Sequence, residues 1–73
     1  MAIRWSPERL DQLESAVRHG RRVALMRRGT EYVVTAVRLG TSGTRDVLVG
    51  RLPMTGEEMT FVLEELDALQ ILT

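Results

Sequence analysis

Few side chains in this sequence can do chemistry: one histidine, three serines, ten arginines and ten carboxylates, with neither cysteine nor lysine. Nucleophilic catalysis needs a hydroxyl, a base within reach and a group that orients the base. Ser6, Ser15 and Ser42 have only His19 as a base, and although Ser15 sits one helical turn before it, nothing identifies an orienting residue or an oxyanion hole. His19 better suits a helix C-terminus, where its charged form would meet the negative end of the dipole. The acids lack the alternating Asp/Asn spacing and central glycine of a calcium loop. Gly40-Thr-Ser-Gly-Thr44 lacks the Lys-Ser/Thr ending of a phosphate loop and leads into a strand. The expectation is a protein that is not an enzyme, with no catalytic residue, metal site or cofactor.

Binding chemistry then falls to the arginines, of which Arg21, Arg22, Arg27, Arg28, Arg38 and Arg45 form the candidate surface for a nucleic acid or an acidic partner. Residues 1–51 carry all ten arginines against Glu8, Asp11, Glu14, Glu31 and Asp46, a net charge of +5; residues 52–73 carry five acids and no base, a net −5. Such asymmetry marks a nucleic-acid face, patches that pair head to tail, or two ends that neutralise each other within the fold. Arginine suits bidentate contacts, but its use to the exclusion of lysine along the whole chain reads as coding bias. Aromatic residues for base stacking are scarce, namely Trp5, Tyr32 and Phe61.

The elements that must position these residues begin with a helix over about 7–19. Ser6 is a good N-cap, Pro7 fits the first helical position, and Glu8 and Asp11 lie near the positive dipole end. Trp5 and Leu10 have the spacing of a hydrophobic staple, and Leu10, Leu13, Ala16 and Val17 form an apolar stripe.

From Arg21 the period changes to two, which predicts strands over about 21–28 and 31–39. Gly29-Thr30 suits a type II′ turn with glycine first. That register sets Arg28 beside Glu31, Arg27 beside Tyr32, Leu25 beside Val34 and Val23 beside Ala36. Arg28 would gain a carboxylate, and Arg27 would lie on the Tyr32 ring. Arg22 and Arg28 fall on one face, and Arg21, Arg27 and Arg38 on the other. Both faces are apolar: Val23, Leu25, Tyr32, Val34 and Ala36 line one, while Ala24, Met26, Val33 and Val37 line the other and form the candidate interface. A hairpin apolar on both sides must be covered twice.

Gly40 to Thr44 reads as a loop, followed by a strand over about 45–52 in which Gly50 marks a bulge or sharp bend. The last segment has two readings. Thr55-Gly-Glu-Glu58 resembles a capping box, and Met59, Val62, Leu66 and Leu69 have helical spacing, which would give an α-β-β-β-α chain of the α+β class. A helix, however, would strand Phe61 among Glu57, Glu58, Glu64 and Glu65, so strands over about 58–63 and 69–72 with a tight turn between them are preferred.

The junction His19-Gly-Arg-Arg-Val-Ala-Leu25, the Arg28-Gly-Thr30 turn and the ending Phe61-Val-Leu-Glu-Glu-Leu-Asp-Ala-Leu-Gln-Ile71 together resemble a small SH3-like or Sm-like barrel. The fold class expected is mainly β with an N-terminal helix: a five-stranded barrel of that kind, or a curled meander. The resemblance implies oligomers and single-stranded RNA. The chain departs from the Sm-like pattern in two places. Gly40 to Thr44 lacks the Asp and Asn that line the family's nucleotide pockets, and Arg51-Leu-Pro-Met54 does not match its basic-Gly loop. No binding residue is carried over.

Seventy-three residues suit one domain, 1–73, with a small core and no disulfide to supplement it. Self-association or a protein partner is the expectation, with nucleic acid as the alternative. No run approaches the roughly 20 apolar residues of a membrane span, and no secretory leader is visible, so the chain reads as cytoplasmic.

Overall fold

The computed structural model describes residues 4–72, so the extreme ends of the 1–73 range lie outside the described residues. The chain forms a helix α1 (Pro7–Arg18) and strands β1 (Arg22–Arg27), β2 (Thr30–Ser42), β3 (Arg45–Arg51), β4 (Glu58–Val62) and β5 (Leu66–Ile71). A single 3₁₀ turn, Leu63–Glu65, joins the last two strands. All five strands make one antiparallel sheet in the order β4-β3-β2-β1-β5, so the fold is mainly β with an N-terminal helix. The sheet is not closed, and β4 and β5 are its two edges. It curls nonetheless: Phe61 of β4 meets Tyr32 of β2 edge-on at 5.3 Å between ring centroids, although those strands are not neighbours.

α1 begins as its sequence requires. The Ser6 hydroxyl accepts from the Arg9 amide at 3.2 Å, and Pro7 follows at the first helical position, where a missing N–H costs nothing. The indole Nε1 of Trp5 donates to the Leu63 carbonyl at 2.9 Å and so ties the entry of α1 to the turn before β5. Leu13 and Ala16 are buried with Val23, Leu25, Val34, Ala36, Leu48, Phe61, Leu63 and Leu66 in one core.

The first hairpin departs from the expected register. Its loop is Arg28-Gly29, with φ of 51° and 79°, the type I′ pattern, whose twist matches that of the strands it joins. Arg27 therefore faces Thr30, Leu25 faces Tyr32 and Val23 faces Val34. Each partner moves by two residues relative to the type II′ register. Face membership has a period of two, so the two apolar faces survive the shift. The expected Arg28–Glu31 pairing does not: Glu31 stands opposite Met26, and the Arg28 amide donates to the Asp67 carboxylate at 3.1 Å. The expected glycine-first loop occurs one hairpin later, at Gly43-Thr44. There β2 runs on to Ser42 and takes up most of the stretch expected to be loop.

The bulge expected at Gly50 lies in the strand beside it. Ala36 pairs with Gly50 and Arg38 with Val49, which leaves Val37 as the extra residue of β2. Gly50 is there for proximity: a Cβ at this position would stand 2.5 Å from Val34 Cγ2 and 2.9 Å from its Cβ. The bulge corrects the placement of Arg38, which changes side and joins Arg22 instead of Arg27.

The C-terminal helix alternative is overturned, since residues 58–71 form strand, 3₁₀ turn and strand. The Thr55 hydroxyl accepts from the Glu57 amide within a turn, not at a helix start. As a strand, β4 puts Phe61 wholly inside the core, which a helix carrying four glutamates around it would not. The final strand begins at Leu66, three residues before the expected start, because only one 3₁₀ turn separates it from β4.

Candidate functional site

Residues paired directly across an antiparallel sheet share a face, so the register assigns every strand residue to a side. The core side takes Val23, Leu25, Val34, Ala36, Leu48 and Phe61. The outer side carries one row across four strands: Arg22, Thr35, Arg51 and Glu58. Toward the first hairpin, Ala24 and Val33 form the next row, then Met26 and Glu31. In the other direction Arg38, Val49 and Thr60 form a row, followed by Gly40, Val47 and Val62.

The structure thus brings Ala24, Met26 and Val33 together on the outer face, while Val37, at the bulge, lies beyond the row of Arg22 and Thr35. Val33 is 40 % exposed, while Ala24, Met26 and Val37 are half-buried. Val47 and Val49 continue the apolar floor and are nearly fully covered, although they lie outside the main core.

The six candidate arginines do not share one surface. Arg22 adjoins the Ala24 and Val33 row, Arg38 lies further along the same direction beyond Val37, and both are exposed. Among the described residues, no carboxylate lies within ion-pair distance of either. Arg45 stands at the far end of the same face and pairs loosely with Glu64 and Glu65, at 3.7 Å each. Arg21 precedes β1 and is held through its backbone, donating to the Ala16 carbonyl and accepting from the Ala36 amide. Arg28 occupies the hairpin tip.

Arg27 is on the core side and half-buried. Its guanidinium lies 5.4 Å from the centroid of the Tyr32 ring and 5.2 Å from that of Phe61, and Nη2 donates to the Tyr32 hydroxyl at 3.4 Å. The stacking on Tyr32 follows the sequence expectation. Phe61 is the contact that sequence reasoning missed, because it depends on the curl of the sheet.

Three further residues were not among the candidates drawn from the sequence. Arg51 joins Arg22 and Arg38 on the outer face and donates to Glu58 at 3.0 Å. Alternation from the buried Val47 and Val49 would have placed it there. Met54 is 95 % exposed in the β3–β4 loop, with the exposed Glu57 nearby. Nothing in the composition of Leu-Pro-Met-Thr-Gly-Glu57 reveals that exposure.

His19 Nδ1 lies 2.9 Å from the Ser15 carbonyl and 3.5 Å from its hydroxyl. A carbonyl only accepts, so the 2.9 Å contact positions Nδ1 to donate to it. Among the described residues no polar or charged side chain is buried, and no cluster of three His, Cys, Asp or Glu could hold a metal ion. Nor is any helix long and apolar enough to cross a membrane. An open groove of about 650 Å³ runs between the first turns of α1 and β5, lined by Ser6, Glu8, Arg9, Gln12 and Gln70 among others, and its polar walls are solvated. No protein-family model, no curated protein and no solved structure matches this chain.

Proposed function

We propose that the protein is a non-catalytic interaction module that self-associates through the outer face of its sheet. The observation that carries this reading is the gathering of Ala24, Met26 and Val33 on the side of the sheet away from the core, with Val33 40 % exposed. Apolar surface concentrated on one face and rimmed by charge is the pattern of association sites. The N-terminal helix, the strand order and the 3₁₀ turn before β5 support a curled sheet of the SH3-like or Sm-like kind as its scaffold.

Nucleic-acid binding is the weaker reading. Phe61 is wholly buried, while Trp5 and Tyr32 are packed against the core, so the outer face has no aromatic ring on which a base could stack. The arginines are also divided between the two sides of the sheet.

Sedimentation equilibrium of the wild type and a Val33→Arg variant tests the proposal. Reversible association in the wild type, weakened at least tenfold in the variant with its thermal unfolding unchanged, is the expected result. Equal association in both proteins would remove the outer face from consideration.

A further inference from the structure

β5 is an edge of the open sheet, and the groove between it and α1 runs along that edge. The Leu72 amide donates to the Arg22 carbonyl, so the backbone groups of Leu72 point at β1. Residues along an antiparallel strand alternate between those that bond to the neighbour and those that do not. Gln70, opposite Ala24, and Ala68, opposite Met26, therefore also turn toward β1, and the N–H and C=O groups of Leu69 and Ile71 turn away from the sheet. Among the described residues, those outward groups have no hydrogen-bond partner.

The groove, about 650 Å³, has α1 as its other wall, with Ser6, Glu8, Arg9 and Gln12 set across from Leu69 and Ile71. A helix beside an open edge strand can receive an extended chain by strand addition: the backbone of the incoming chain pairs with the edge, and its alternate side chains enter the groove. Only another polypeptide offers donors and acceptors with the same two-residue repeat. The walls are polar, and neither Glu8 nor Arg9 forms an ion pair among the described residues.

A second copy could present only β4 or β5, the two edges of its own sheet. The core-side residues of those strands, Met59 and Phe61 on one and Leu69 and Ile71 on the other, already pack in that copy's core and cannot enter the groove. A segment with no fold of its own has its side chains free to do so. We propose that β5 and α1 together receive an extended, polar and otherwise unfolded segment of a partner protein. The segment pairs as an added strand with Leu69 and Ile71 and sets its groove-side residues among Glu8, Arg9 and Gln12. This binding does not depend on self-association through the outer face.

Amide hydrogen exchange followed by NMR tests the proposal, with a peptide selected from a displayed library of random short sequences as the probe. In the free protein the amides of Leu69 and Ile71 should exchange fast, while those of Ala68, Gln70 and Leu72 are protected. Saturation with the peptide should slow exchange at Leu69 and Ile71 by about tenfold or more. N-methylation of the peptide's pairing amides leaves the protein unaltered and should weaken binding about tenfold.

A library that yields no saturable binder, or a selected peptide that leaves the Leu69 and Ile71 amides unchanged, overturns the proposal. So does protection of those two amides in the free protein. Protection that grows with protein concentration would mean that a second copy occupies the edge, and protection at every concentration that the chain covers the edge itself. None of these outcomes bears on Val33, so the two proposals fail separately.

Discussion

Arg27 has to be weighed by what its side chain touches. Its stem and guanidinium cover Phe61 and Tyr32 at the opening of the curled sheet, so it packs over the core where a solvent-exposed hairpin arginine would reach outward. Truncation to alanine should cost about 1–2 kcal/mol in urea unfolding, while Arg27→Met, which keeps the stem, should recover part of that loss. An alanine variant as stable as the wild type would mean that the contacts with both rings contribute nothing. Gly50 is a sharper case. Val34 is fully buried, and its Cβ is fixed by the backbone, so the methyl of Gly50→Ala cannot be relieved by a rotamer change alone. Overpacking of this kind costs about 1–3 kcal/mol, and a lowered denaturation midpoint with an unchanged m-value is the expected readout. The strand and a special role for Gly50 were legible in the sequence, but the approach of Val34 was not, since it depends on which residue of β2 lies across the sheet.

Among the elements, the first hairpin is the instructive one. Glycine before threonine argued for a type II′ loop, yet the chain places Arg28 in the left-handed region, which costs a non-glycine residue roughly 1–2 kcal/mol. The Asp67 carboxylate, from a strand 39 residues away, accepts from the Arg28 amide and helps to hold that conformation. Local preference was outweighed by a contact that no window of sequence contains. Replacing Arg28 with asparagine, which tolerates this geometry and keeps the amide, should stabilise the protein by roughly 0.5–1 kcal/mol. The corresponding rise in Tm is about 2–8 °C for a domain of this size, measurable by circular dichroism. A fall in Tm would show that the arginine side chain itself holds the tip. The alternation in β2 was likewise legible up to Ala36, and the bulge after it reverses the parity for Arg38. The candidate site was therefore readable in its apolar half, and its charged rim was not.

For the molecule as a whole, charge becomes a statement about assembly. The basic and acidic parts of the chain neutralise each other in part, through Arg45 with Glu64 and Glu65 and through Arg51 with Glu58. Among the described residues, Arg22 and Arg38 form no such pair. Because those groups are exposed, association should weaken several-fold between 0.05 M and about 1 M sodium chloride, where screening shortens to roughly 3 Å. Unchanged or stronger association at high salt would assign the contact to apolar burial alone. Sedimentation at the two salt concentrations decides between them. The radius of gyration, 11.1 Å, is that of a fully collapsed chain of this length.

By itself the sequence determined where α1 starts, the two apolar faces of the first hairpin, and the neighbourhood of Arg27 and Tyr32, and it favoured a strand over a helix at residues 58–62. These rest on caps and on a period of two, which act within a few residues and survive an error of register. The tertiary structure alone decided the type I′ loop, the bulge that turns Arg38 outward, the stacking of Arg27 on Phe61 and the exposure of Met54. Each of these depends on contacts between segments far apart in the chain. Their strength is set by the curl of the completed sheet, which no local pattern encodes.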